Sequence, residues 1–144
     1  IRSLQVINSL LTKVMYLVYP LLLIHLFINT PDKLPIFILI PGLSFILVSL
    51  GRHLLNTPRP YETWNITPLI SKDTKGHSFP SRHVFSASII SMAVLTQSSF
   101  LGVILLILSL VIAFCRVLGG VHYPHDVVAG YLIGLICGFL LFLF

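Results

Sequence analysis

Five apolar runs, at residues 4–28, 34–51, 83–98, 100–116 and 126–144, take up most of this 144-residue chain. Each is close to the roughly 20 apolar residues that an α-helix needs to cross a hydrocarbon core of about 30 Å. Lipid offers no partner to backbone N–H and C=O groups, so such a run must close its hydrogen bonds within itself, as a helix does. The runs therefore predict an all-α, polytopic transmembrane bundle of about five spans, forming a single membrane-embedded domain over 1–144. Only 9% of the residues are charged, far below the quarter or so of a soluble domain. The net charge of +5 does not mark a nucleic-acid binder, because the basic residues form no stripe on a polar helix. The start at Ile1 rather than Met predicts a chain that is truncated or incompletely described at its N-terminus.

If the spans alternate in direction, with turns at 29–35 and 97–99, the polar stretch 52–82 and the connection 116–126 fall on the same membrane face. That places Arg52, Arg59, Arg82, Arg116, His83, His122 and Asp126 together, while the other face receives little beyond Asp32 and Lys33. Arg2, Lys13, Lys72 and Lys75 read as interfacial anchors, and Tyr61 and Trp64 as aromatic-belt anchors or entrance residues. The four arginines of the shared face outnumber its carboxylates, since one of the chain's four, Asp32, falls on the other face. Charge inside a membrane usually has a partner or a task, and a bound anion would balance this excess.

Local sequence suggests how such an anion would be handled. Pro124 suits the first position of the last helix. Asp126 then falls in the first turn, within reach of one ring nitrogen of His122, leaving the other as a nucleophile or base. Ser81 reads as the N-cap of the third span, where its hydroxyl and the amides of Arg82 and His83 form an anion cradle. His83 stands beside that cradle, placed to donate a proton to a departing oxygen. Arg52, Arg59 and Arg116 supply planar forks suited to phosphate oxygens. Taken singly, these residues fit capped helix starts and headgroup anchors equally well.

Taken together they form three motifs: Arg52-x6-Arg59-Pro60, Pro80-Ser81-Arg82-His83 and Cys115-Arg116-x5-His122-x3-Asp126. In order and spacing these resemble K-x6-R-P, P-S-G-H and S-R-x5-H-x3-D, the signature of the type 2 phosphatidic acid phosphatase superfamily. The resemblance runs over roughly 34–144, with Arg52 in place of the lysine, Arg82 of the glycine and Cys115 of the serine. It implies metal-independent hydrolysis of a lipid phosphate monoester or diphosphate through a phosphohistidine, with no cofactor. His122 would be the nucleophile, Asp126 its orienting carboxylate and His83 the general acid. Arg52, Arg59, Ser81, Arg82 and Arg116 would bind phosphate. A glycine site that needed φ > 0 would strain Arg82.

The resemblance further implies a substrate such as phosphatidate, phosphatidylglycerol phosphate or a polyprenyl diphosphate, six spans in typical members, and, for bacterial members, an outward-facing site in the cell membrane. A membrane phosphotransferase and a non-catalytic lipid-phosphate binder or transporter are the alternatives. A metal site of His122, His125 and Asp126 is disfavoured because the guanidinium groups already supply positive charge, and the x3 spacing favours His122 over His125 as the partner of Asp126. Cys115 is no Cys-x5-Arg nucleophile, since position 121 is Val, and both Cys115 and Cys137 read as small buried residues. Gly130, Gly134 and Gly138, with Ser86, Ala87, Ser88 and Ser91, predict close helix approach inside one bundle, a homodimer face being the alternative.

Overall fold

The computed structural model describes residues 2–64, 66–70 and 75–144; Lys72, expected as an anchor, lies outside them. Among the described residues there are helices and no strands. The helices are α1 (Arg2–Asn29), α2 (Leu34–Leu55), α3 (Pro60–Thr63), α4 (Arg82–Leu95), α5 (Ser99–Leu118) and α6 (Pro124–Phe139), the last extended by a 3-10 turn at Leu140–Leu143. Among the described residues, four stretches are long and apolar enough to cross a membrane: Arg2–Asn29, Pro31–Thr63, Ser99–Leu118 and Pro124–Leu143. Their outward residues, among them Leu17, Ile24, Leu47, Ile107, Phe114 and Ile136, are exposed apolar side chains. That is the surface lipid requires, and the chain is an integral membrane protein.

The run expected as a third span differs from the other four. It makes a helix of 14 residues, about 21 Å at 1.5 Å per residue, and ends before the polar turn at Thr96, Gln97 and Ser98. Ten of its residues are buried, because α4 is the central post against which α1, α2, α5 and α6 all pack. Its apolarity on every side comes from protein neighbours rather than lipid. On α1 the buried residues Asn8, Met15, Leu22 and Leu26 recur at helical spacing and make one seam toward this post. Leu26, Phe37, Val84, Ala87, Ala93 and Ile112 belong to the same core.

The closest approach is between α4 and α6. A Cβ at Gly130 would stand 2.4 Å from the Ser81 carbonyl oxygen, one at Gly134 1.6 Å from Ser88 Oγ, and one at Gly138 2.4 Å from Met92 Cβ. The glycine stripe is thus consumed within the bundle, and α4 covers the face that a second copy would have needed. Ser91 Oγ also meets Ser109 Oγ at 3.0 Å, tying α4 to α5.

Because the helices alternate in direction, the C-terminal ends of α2 and α5 and the N-terminal ends of α4 and α6 share one end of the bundle. The backbone ties them there: Ser81 N–H donates to the Asp126 carbonyl at 3.0 Å, and Leu69 N–H to the Gly119 carbonyl at 2.8 Å. Gln5 Nε2 reaches the Leu69 carbonyl from α1 at 2.7 Å. Asp32 and Lys33 lie in the α1–α2 turn at the opposite end. Arg2, Lys13 and Lys75 are exposed, as anchors should be. Cys115 is buried and Cys137 half-buried, and both are free thiols.

Candidate active site

Arg52 lies in the last turn of α2, which closes on Asn56 in the left-handed conformation, φ 46°. Three residues on, Arg59 precedes α3, and its N–H donates to Glu62 Oε2 at 2.6 Å. Glu62 also accepts from Gly76 N–H, at 3.0 Å through Oε1 and 2.9 Å through Oε2. One carboxylate therefore pins the returning chain beside α3. Gly76 and His77 both have positive φ, 70° and 54°. A Cβ at Gly76 would lie 2.2 Å from Asn56 Oδ1, so the position excludes a side chain on space as well as on conformation.

This unusual backbone turns two carbonyls toward the guanidinium groups. Arg59 Nε donates to the Gly76 carbonyl at 3.0 Å and its Nη2 to the His77 carbonyl at 3.3 Å. Arg52 donates to that same His77 oxygen, at 3.0 Å from Nε and 2.5 Å from Nη2. The His77 ring stacks on His53, centroids 5.2 Å apart, which helps hold a conformation that a non-glycine residue seldom adopts. Arg59 is among the most buried side chains of the molecule, at 1% exposure.

His122 and Asp126 are buried at 2% and 0% exposure. Asp126 Oδ2 accepts from Tyr123 N–H at 2.9 Å and from the Ser78 hydroxyl. His122 Nδ1 stands 3.4 Å from the same oxygen and 3.3 Å from Ser78 Oγ. On the other side of the ring, Nε2 faces Arg59 Nη1 at 3.5 Å. His125 Nε2 lies 3.1 Å from Asp126 Oδ1 but off the hydrogen-bonding direction, since Oδ1 has no hydrogen-bond partner. Among the described residues no three His, Cys, Asp or Glu side chains gather as a metal site.

Burial pushes the His122 imidazole from its usual range down to about 4, aided by the charges of Arg116 and Arg59 and opposed by Asp126. The ring is therefore neutral at physiological pH. A ring nitrogen with a free lone pair is what a nucleophile or base requires.

Arg116 is 4% exposed, and its Nε and Nη2 have no hydrogen-bond partner. Guanidinium is charged at any accessible pH, and an unsatisfied buried donor costs about 1–3 kcal/mol, more when charged. These two adjacent donors match the spacing of two oxygens on one anion.

Ser81 caps α4 as the sequence predicts, its Oγ accepting from Val84 N–H at 3.4 Å. Residue 82 is the first helical residue of α4 and is absent from the positive-φ positions, so arginine in place of glycine carries no backbone strain. Its side chain turns away to α2, over the Phe45 ring at 5.4 Å and toward Ser49 Oγ at 3.4 Å. Of the two ways residue 82 could hold an anion, the amide is left. His83 is half-buried, with its ring 6.3 Å from that of Tyr16 on α1. Trp64 is exposed.

Sequence reading missed Glu62, Ser78 and the Gly76 and His77 carbonyls. Glu62 had a visible signal, since Arg59, Pro60 and Glu62 stand at N-cap, N1 and N3 of a capping box. Ser78 had none beyond sitting three residues before Ser81.

A model of the PAP2 superfamily matches residues 33–144, a range that holds all three motifs. The chain belongs to the PAP2 superfamily. Over 128 residues it is 34% identical to undecaprenyl-diphosphatase BcrC of Bacillus subtilis (strain 168), an alignment covering 86% of this chain and 65% of that protein. Over 93 residues it is 28% identical to an undecaprenyl-diphosphatase of Sulfolobus acidocaldarius, covering 64% of this chain and 45% of that one. The chain thus spans less than two thirds of the length of these curated relatives. The crystal structure of Aquifex aeolicus LpxE superposes with a TM-score of 0.82 at 30% identity, covering 98% of this PAP2 chain and 86% of that chain.

Proposed function

We propose that this chain hydrolyses a lipid phosphate, with an isoprenoid diphosphate of the undecaprenyl kind as its foremost substrate. The observation that carries the reading is the buried His122, its Nε2 beside Arg59, in a setting that also holds Arg52 and the unpartnered donors of Arg116. The two relatives named as undecaprenyl-diphosphatases support the choice of lipid. Phosphoryl transfer asks chiefly for placement and for cation where charge develops, and three guanidinium groups provide that.

In this reading Arg52, Arg59 and Arg116 hold the phosphoryl oxygens, with the Ser81 cap and the Arg82 amide at the N-terminus of α4. His122 Nε2 attacks phosphorus, forming the P–N bond as the bond to the leaving oxygen breaks. His83 gives that oxygen its proton. Water then attacks the phosphohistidine, returning its proton to His83, and phosphate departs with His122 restored. Asp126 orients His122 throughout. The site end of the bundle faces the outside of the cell membrane, where a lipid diphosphate is met at its headgroup.

The test is phosphate release by the detergent-purified chain, in excess EDTA, from undecaprenyl diphosphate and from phosphatidate, beside His122→Ala. Release from the diphosphate that the substitution abolishes supports the reading. Equal release by both proteins, or none from either lipid by the folded wild type, rejects it.

A further inference from the structure

His122 and Asp126 meet only at the edge of hydrogen-bonding range. Nδ1 is 3.4 Å from Oδ2 and 3.3 Å from Ser78 Oγ, both longer than an N–H···O bond prefers, so one ring nitrogen faces two acceptors. Beside the His122 and Asp126 side chains stands Ser78, wholly buried, its hydroxyl donating to Oδ2 and its oxygen facing Nδ1. The backbone leaves it no room to drift. Ser78 N–H donates to the Thr57 carbonyl at 3.2 Å, and the next amide, Phe79 N–H, to Thr57 Oγ1 at 3.0 Å.

The hydrogens can be assigned by elimination. The carboxylate only accepts, so the Ser78 hydrogen is committed to Oδ2 and the lone pairs of Oγ remain to accept. The group facing them is Nδ1, which must then carry the proton. At the far side of the ring the neighbour is Arg59 Nη1, 3.5 Å away, and guanidinium only donates. Nε2 must therefore present its lone pair. Both ends of the ring, read independently, demand the same tautomer.

The geometry points to Ser78 as a positioning residue for His122: its hydroxyl bridges Nδ1–H to Asp126 Oδ2 and keeps Nε2 unprotonated and aimed. This rests on the phosphatase reading above. As Nε2 bonds to phosphorus the ring becomes cationic, Nδ1–H becomes a stronger donor, and the bridge passes that demand to the carboxylate. Oδ2 already takes Tyr123 N–H and the Ser78 hydroxyl, so a relay through Oγ also relieves crowding at that oxygen.

The experiment compares wild type, Ser78→Ala and the hydroxyl-retaining Ser78→Thr, using the whole chain in detergent. Nitrogen-15 histidine spectra should show His122 as the Nδ1–H tautomer in wild type and Thr, and as a mixture in Ala. Turnover in Ala should fall about 10- to 100-fold, as loss of an orienting partner typically does, with orthovanadate inhibition unchanged because the arginines are untouched. Retention of both the tautomer and the rate in Ala would overturn the inference and leave Asp126 acting directly. Parallel loss of vanadate inhibition and turnover would also overturn it, by making Ser78 a support of the whole site. A tautomer shift in Ala, with wild type releasing no phosphate, would uphold the positioning role and reject the phosphatase reading alone.

Discussion

Replacing Arg116 by Met should make the protein more stable and nearly inactive. Arg116 is 4% exposed, and its Nε and Nη2 stay buried without partners. Methionine keeps an unbranched apolar stem of similar reach and removes the charge. Two unsatisfied donors at about 1–3 kcal/mol each imply a gain of roughly 2 kcal/mol or more in the ligand-free protein. The loss is larger on the bound side. Two charge-assisted bonds to phosphoryl oxygens are worth about 1.5–3 kcal/mol each, so kcat/KM should fall about 10²- to 10⁴-fold at 1.4 kcal/mol per decade. Thermal unfolding in one detergent, with and without orthovanadate, should show a higher Tm for Arg116→Met and stabilisation by vanadate in wild type alone. A variant that loses stability and activity together would refute the reasoning, since it would mean that the protein itself satisfies those donors.

Four further outcomes follow from the same geometry. With the His122 ring held down at about 4, the acidic limb of kcat/KM should lie near pH 4 rather than near 6.5, because that profile reports the free enzyme; a limb at 6.5 would contradict the burial argument. The unfolded ring takes up its proton near 6.5 and the folded ring only near 4, so stability contributed by His122 is full above about pH 6.5 and is lost as pH falls toward 4. Tm measured across that window should drop, and His122→Ala should flatten the slope. Gly134→Val puts atoms where a Cβ already lies 1.6 Å from Ser88 Oγ and 2.8 Å from the Phe85 carbonyl, so it should sharply reduce folded yield, whereas Gly42→Ala, with nothing within 4 Å, should be tolerated. Lys75→Cys, exposed at the site end, should react in intact cells with a membrane-impermeant maleimide, and labelling only after lysis would place the site inside.

Much of the architecture was legible because lipid imposes one rule on every span. Apolar length located α1, α2, α5 and α6, and the alternation of all five runs, the third included, put Arg52, Arg59, Arg116, His122 and Asp126 at one end. The length of α4 was not legible, since an apolar run reads alike whether lipid or protein surrounds it. In the candidate site, motif spacing singled out the buried Arg52, Arg59, Arg116, His122 and Asp126, but not the backbone carbonyls or the Glu62 and Ser78 side chains that brace them. The carbonyls of Gly76 and His77 hold Arg52 and Arg59 whatever residue types stand there, provided the chain can take positive φ. Ser78 reaches Asp126 across 48 positions, a distance over which local pattern carries no information. The turn of Arg82 toward Phe45 was hidden for the same reason.

The central claim is that His122 Nε2 becomes bonded to phosphorus, and rapid acid- or base-quench trapping with ³²P-labelled undecaprenyl diphosphate addresses it most directly. The account predicts an acid-labile, base-stable phosphoenzyme that maps to His122, is absent in His122→Ala and forms about 100-fold or more slowly in His83→Ala, as loss of a general acid should produce. Wild-type turnover with no label on the protein at any quench time, or label on another residue, would contradict it.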